Sequence, residues 1–401
     1  MRLTTLLVAV AFLDELGSGV PFVGAPEIQR EFGVSYGEAA GWLIFAMTGA
    51  ATVIEPVIFL LADRYPKRWF VIGGLVSVGA ACLAAGLAPS YWLLFAALSL
   101  YGPASGTGVA LAQAALADAR PHDLERALVR WTFAGALGDL ATPSLVALGA
   151  LVLSGWRAAF MASGVAFLVW ATLLARAGFP EESAASDSDP EEAHEPLWAA
   201  LRVSLCAPRL LVFAGAVTLC SLMDEILVSF GSQYLADVTG LGLAARTAAL
   251  SALMVGELAG LAAGDLLVAR IAPRALLRAS ALGSAAAWLV FLSLSAPGLL
   301  SAALFVVGML ASLQYPLVKA QAYRALPGRS GAVNAVLTLF GVIELGLPLA
   351  LGAVADRAGL PAALALLSVQ PLGLLLLATL APARVFADPR ASLSSPADPP
   401  R

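Results

Sequence analysis

Apolar residues run along the chain in long blocks, each closed by a short cluster of charged, glycine or proline residues. A helix needs roughly 20 apolar residues to cross a bilayer. Blocks of that length fall at roughly 4–25, 40–62, 69–88, 91–117, 128–153, 157–176, 210–235, 247–268, 276–294, 298–322, 332–355 and 360–381. Barrel strands would instead alternate polar and apolar residues over short segments, and no such alternation is present. The pattern predicts an all-α polytopic membrane protein, with twelve transmembrane helices in two six-helix bundles.

Two places interrupt the rhythm. Residues 179–209 open with FPEESAASDSDPEEAHEP, which reads as a disordered acidic linker, and continue with LWAALRVSLCAPR, which reads as a short interfacial helix. The C-terminus ends ADPRASLSSPADPPR, a Pro/Ser-rich composition that cannot build a core. The expected organisation is therefore a bundle over 1–178, a linker over 179–209, a second bundle over 210–381 and a disordered tail over 382–401. The first apolar run carries Asp14 and Glu15 in its middle and no small-residue cleavage site follows it, so it reads as a span and not as a signal peptide.

Composition agrees. Hydrophobic residues make up 60% of the 401 and charged residues 12%, with a mean hydropathy of +0.86. A soluble domain carries about a quarter charged residues, so an ordinary cytosolic enzyme is excluded. The net charge of −4 comes mostly from the linker, and no basic face for nucleic acid exists. Cys82, Cys206 and Cys220 lie in or near apolar stretches and suggest neither a disulfide framework nor a zinc site. Basic residues fix the orientation. With the N-terminus inside, eighteen Lys and Arg residues lie on inner segments; Arg30, Arg157, Arg246 and Arg357 are the four outside, and Lys319 lies within a span. The expected location is the inner (plasma) membrane, multi-pass, with both termini and the linker cytoplasmic.

The halves echo each other. Asp14-Glu15 returns as Asp224-Glu225, Ala112-Gln113-Ala114 as Ala320-Gln321-Ala322, and Asp139-x3-Pro143 as Glu344-x3-Pro348, at offsets of 210, 208 and 205 residues. Repeats of this kind build secondary transporters, with the site between the halves.

Ionisable residues inside a span cost about 2.5–3.5 kcal/mol each on insertion scales and by default mark function. Here they are Asp14, Glu15, Glu55, Asp139, Asp224, Glu225, Glu257, Asp265, Lys319 and Glu344, while spans 3, 6, 9 and 12 carry none in their interiors. That period points to a central hydrated cavity lined by acids, with every third helix facing lipid. Asp63 and Asp265 lie near the cytoplasmic ends and read as gate or interfacial pairs. Lys319 either snorkels or pairs with Glu344 or substrate. Glu55 precedes Pro56 and reads as a kink feature. Asp14 and Glu15 point about 100° apart on a helix, so one faces the cavity and the other a neighbouring helix. Gly17, Gly19 and Pro21, the stretch Tyr101-Gly-Pro-Ala-Ser-Gly-Thr-Gly108, and Gln314-Tyr315-Pro316 are soft points that open a helix or pack it closely.

With twelve spans, a repeat and a long middle loop, the chain resembles the major facilitator superfamily. Leu61-Ala62-Asp63-Arg64-Tyr65-Pro66-Lys67-Arg68 is similar to that family's L-A-D-R-x-G-R-K/R gating motif, and Gly155-Trp156-Arg157 with Phe160 is a second shared feature. The resemblance implies that Asp63 caps or pairs across the cytoplasmic gate and that Arg64, Lys67 and Arg68 latch it. Phe59 and Pro66 stand where the motif has glycines, and Gly102 where span 4 of the family usually has an arginine. The antiporter-type G-P-x-x-G-G is only loosely present, as Gly135, Gly138 and Thr142-Pro143. Antiport and symport therefore both stay open.

The function these features predict is a proton-coupled secondary transporter working by alternating access, exporting small cationic or amphipathic compounds. The alternatives are proton-symport uptake of a small metabolite, with Lys319 and Gln113 or Gln321 among its ligands, and divalent metal export. The expected partners are a small-molecule substrate, protons and the bilayer, with no nucleic acid and no cofactor, and the chain acting as a monomer. Both histidines, His122 and His194, lie in loops, which disfavours an intramembrane hydrolase; the cytoplasmic parts are too short for a sensor's output domain.

Overall fold

The computed structural model describes residues 3–35, 38, 42–177, 179 and 196–386. Arg2, most of the acidic linker and the end of the tail lie outside the described residues. Every regular element among those described is helical. Numbered as the spans above, they are α1 (Leu3–Val23), α2 (Leu43–Ala62), α3 (Lys67–Gly86), α4 (Tyr91–Ala119), α5 (Leu124–Gly149), α6 (Gly155–Arg176), α7 (Pro208–Asp237), α8 (Leu243–Leu267), α9 (Pro273–Ser293), α10 (Pro297–Ala325), α11 (Ser330–Ala358) and α12 (Leu360–Leu380). Eleven are long and apolar enough to cross a membrane. The remaining one, α5, has 26 residues, but Asp139, Thr142, Pro143 and Ser144 dilute its apolar run. The chain is a multi-pass membrane protein. Short helices also form over Ala25–Phe32, after α1, and over Leu197–Leu205, where the sequence predicts an interfacial helix.

Several spans are not continuous α-helices. α1 is interrupted at Gly19, and Pro21 then opens its last turn. α4 carries Pro103 and passes through a π-helical segment, Gly106–Ala110. α10 breaks between Ala311 and Gln314. α7 tightens into a 3-10 turn over Cys220–Met223 and restarts at Glu225. The first three breaks fall at stretches the sequence marks as soft. The fourth has no glycine or proline to announce it.

The chain divides into two compact units. One comprises Met1–Arg202 with Ser330–Val342, the first part of α11; the other comprises Val203–Arg329 with Ile343–Arg401. In the first, small residues let helices meet backbone to backbone, the usual device where lipid supplies no hydrophobic drive. Gly102 of α4 lies against the Met47 carbonyl of α2, Gly74 of α3 against Gly108 of α4, and Gly79 of α3 against Gly164 of α6. In the second, Gly308 of α10 lies against the Leu253 carbonyl of α8; these positions stand 206 residues beyond Gly102 and Met47. Arginines repeat in the same way. Arg68, opening α3, donates to the Ala175 carbonyl at the end of α6, and Arg274, opening α9, donates to Ala378, Thr379 and Ala381 at the end of α12. Each satisfies carbonyls that a helix end leaves orphaned. On the opposite side of the first unit, Arg157 bonds Glu31 at 2.7 Å and the Gly86 and Ala88 carbonyls that end α3, while Trp156 donates to Glu31 at 3.0 Å.

Candidate functional site

The acids of the first unit are built into helix contacts. Asp14 of α1 is half-buried, and its Oδ1 accepts from Ser105 Oγ at 2.7 Å and from the Tyr101 hydroxyl at 3.3 Å, both on α4. Glu15, 100° further round, turns to α5. Gly135 and Gly138 leave room for its side chain, and Ser18 donates to its Oε2 at 3.3 Å. Thr142 of α5 donates to the Glu15 carbonyl at 3.2 Å, next to the backbone interruption at Gly19. Both adjacent carboxylates thus have a neighbouring helix to face, Asp14 the α4 side and Glu15 the α5 side.

Glu55, read from sequence as a kink feature, has more specific surroundings. Its carboxylate lies directly on Gly106, at a distance no Cβ could share, and Thr338 of α11 donates to its Oε2 at 3.1 Å. Gly106 follows Ser105, the partner of Asp14, so one turn of α4 serves both acids. The soft stretch Tyr101–Gly108 carried the signal. What the sequence lacked was the neighbour that comes to it.

Asp63 sits just beyond the end of α2. Its Oδ1 accepts the Gly331 N–H at 2.8 Å and its Oδ2 the Ala332 N–H at 2.7 Å, so it caps the first turn of α11 from another helix. Those N–H groups have no partner within their own helix and carry its positive end. Gly331 permits the approach, because a side chain there would strike the Phe59 carbonyl. Lys67 bridges Asp63 at 3.6 Å and Asp118 at 2.8 Å, and Ser330 donates to the same Asp118 oxygen at 2.8 Å. Burial pushes the Asp63 carboxyl above its ordinary range, while Lys67 and the two N–H groups oppose that shift. Of the three basic residues expected to latch here, Lys67 is in this cluster. Arg68 is turned away to α6, one helical position and 100° further round. Arg64 lies half-buried on the intervening turn.

In the second unit Asp224 is exposed and occupies the break of α7, with φ −123° and ψ −115°. The break is held from the core. Gln370 of α12 accepts the Met223 N–H at 2.7 Å, donates to Gln314 of α10 at 2.9 Å, and Gln314 donates to Ser284 of α9 at 2.8 Å. All three side chains are buried. Sequence reading singled out Gln314 only as part of a soft point and passed over Gln370. Lys319 donates to the Tyr315 hydroxyl at 2.6 Å, one turn back on its own helix, with its ammonium over that ring. Gln321 is buried and takes a bond from Arg209 at 3.4 Å; Gln113 is buried on α4. Glu257, on α8, lies beside Gly256, which packs on α10; Glu344, on α11, is half-buried, and Asp139, on α5, is exposed. The Glu225 side chain lies outside the described residues. Among the described residues no group of three or more His, Cys, Asp or Glu side chains could hold a metal ion.

Known proteins resemble the chain in sequence and in fold. It is 32% identical over 176 residues to the multidrug resistance protein Stp of Mycobacterium tuberculosis, a stretch covering 40% of this chain and 31% of Stp. It is 26% identical over 176 residues to the 4-hydroxybenzoate transporter PcaK of Pseudomonas putida, covering 43% of this chain and 38% of PcaK. The matches thus span about a third of these relatives' lengths. The crystal structure of the Escherichia coli fucose:proton symporter FucP superimposes with a TM-score of 0.76 at 18% identity, over 94% of this chain and 98% of that one, a likeness of fold. A model of the Major Facilitator Superfamily matches residues 7–343. With its helices, its paired glycine and arginine contacts and its Asp63 cap, the chain belongs to the major facilitator superfamily of membrane transporters.

Proposed function

We propose that the protein is a proton-coupled secondary transporter that exports small cationic or amphipathic organic compounds by alternating access. The observation that carries this reading is the placing of Asp14. It is a carboxylate midway along a membrane span, held by hydroxyls of α4, five residues before the interruption of α1 at Gly19. Asp224, its counterpart in the sequence repeat, occupies the interruption of α7. A carboxylate beside a helix break in an apolar medium can take a proton from one side and release it to the other. The candidate coupling and substrate residues are Asp14 and Glu15 in the first unit and Asp224 and Glu225 in the second, with Asp139, Glu257, Glu344, Gln113, Gln321 and Lys319 as further candidates. The likeness to Stp, a multidrug resistance protein, favours a small organic compound as substrate, and the likeness to PcaK, a 4-hydroxybenzoate transporter, favours a small metabolite, the substrate of the second reading, proton-symport uptake.

The test is transport by the purified protein in proteoliposomes. Asp→Asn keeps the shape and fixes the neutral state, so Asp14→Asn or Asp224→Asn should abolish transport driven by a pH gradient. Gradient-free exchange of substrate should survive. Affinity for a cationic substrate should also lose its rise with pH, since the competing proton is gone. Asp139→Asn and Glu344→Gln are the comparison. Wild-type gradient-driven transport in both Asp14→Asn and Asp224→Asn would exclude these acids as the coupling site.

A further inference from the structure

The first part of α11, Ser330–Val342, carries three polar side chains one turn apart, Ser330, Asn334 and Thr338, which therefore share a face. Ser330 bonds Asp118 on α4, Asn334 donates to the Ala110 carbonyl on α4 at 3.0 Å, and Thr338 donates to Glu55 on α2. Glu55, Phe59 and Asp63 in turn share one face of α2, and that face meets α11 at the Glu55–Thr338 bond, the Phe59 carbonyl and the Asp63 cap.

Asn334 and Thr338 reach opposite ends of the same short element, the π-helical segment Gly106–Ala110. Thr338 holds Glu55, whose carboxylate rests on Gly106. Asn334 takes the carbonyl of Ala110. A π-helical turn carries one residue more than an α-helical turn and is an alternative register of the same chain, common at functional sites. The residue immediately before this segment is Ser105, which holds Asp14. The repeat lacks this device. At the offset of 206 that relates the Gly102–Met47 and Gly308–Leu253 contacts, the positions of Glu55 and Gly106 are occupied by Leu261 and Ser312. Close packing of α2 on α4 thus has its counterpart in α8 on α10, and the carboxylate wedged into it belongs to the first unit alone.

We infer that Glu55 is a positioning residue: through Gly106 and Thr338 it transmits the state of Asp14 to the docking of α11 on α2. The inference rests on the coupling role proposed for Asp14 and adds the physical link from that acid to α11. When Asp14 is neutral, Ser105 loses a charge-assisted bond, the end of the π segment is released, and Glu55 no longer has a fixed surface from which to hold Thr338. Gly106 is the one residue type that admits this arrangement, since any Cβ there would occupy the place of the Glu55 carboxylate.

The experiment is a double-mutant cycle read by labelling. Val333 lies on the docked part of α11 and is fully buried, so a cysteine there, with Cys82, Cys206 and Cys220 replaced by serine, reacts with a water-soluble maleimide only when α11 lifts. Asp14→Asn should raise the labelling rate about fivefold, the scale of the difference between a charge-assisted and a neutral hydrogen bond. In backgrounds carrying Glu55→Ala or Thr338→Val the same substitution should change the rate by less than about twofold. Glu55→Gln keeps an acceptor for Thr338 and should restore the response. Thr338→Val preserves volume and covers the case in which Glu55→Ala fails to fold. An undiminished fivefold response in both backgrounds, or no response in the parent, would overturn the link. Gradient-driven transport measured on the same preparations separates the two claims. Normal transport by Asp14→Asn with a non-additive labelling cycle removes the coupling role and leaves the link standing. Lost transport with an additive cycle does the reverse.

Discussion

Asp63 shows how much one side chain can be asked to do. It accepts two backbone N–H groups of α11 and faces Lys67, and the close approach depends on Gly331 having no side chain. Asparagine offers one acceptor where the carboxylate offers two, and it brings no charge to the helix end. A charge at a helix N-terminus in a partly buried setting is worth up to about 2 kcal/mol. Asp63→Asn should therefore lower transport turnover by about tenfold, while ligand affinity stays within about twofold because the substitution lies away from the mid-span acids. Proteoliposome flux and equilibrium ligand binding measured together check this; unchanged flux would leave Asp63 as an anchor without a part in turnover. The capping contact of Asp63 was legible from its motif, since the residue types and spacing survive in the sequence. The fate of Arg68 was not: its target, the Ala175 carbonyl, is a backbone group of another helix, and backbone groups leave no trace in residue identity.

Among helices, the breaks divide by cause. Gly19 with Pro21, and Pro103 with the glycines after it, weaken α1 and α4 through local backbone chemistry, so the sequence announces them. The break in α7 runs through Cys220-Ser-Leu-Met-Asp224, residues with no such weakness. It is sustained by Gln370, which takes the Met223 N–H and passes the demand on to Gln314 and Ser284. Gln370→Leu keeps the volume and removes both the acceptor and the donor. It leaves Met223 and Gln314 short of partners in a buried site, at a cost of about 1–3 kcal/mol. The expected result is a melting midpoint several degrees lower in detergent; an unchanged midpoint would mean that the glutamine relay does not hold the break.

At the scale of the whole molecule, the distribution of Lys and Arg predicts which side of the membrane each loop occupies. Accessible cysteines introduced at Ser183, in the linker, and at Ser395, in the tail, should react with impermeant reagent only after cells are opened. Reaction at either site from outside intact cells would reverse the orientation. It would also place the Asp63 cluster on the outer face.

Sequence alone determined that the chain is a multi-span helical membrane protein of this superfamily. Span length and the deficit of charge are imposed by lipid, and the acids inside spans stand out as costly exceptions to it. It also determined which acids are candidates, because an ionisable residue in a span is conspicuous without any knowledge of its neighbours. The tertiary structure decided what each candidate touches. It gave Asp14 to α4 and Glu15 to α5, and raised Glu55 from a kink feature to the carboxylate that meets Gly106 and Thr338. It assigned Gln370, an inconspicuous polar residue in an apolar span, to the backbone of α7. The physical reason is the same in each case. Helix periodicity fixes the direction of a side chain relative to its own axis, whereas the partner it meets depends on how helices far apart in sequence pack.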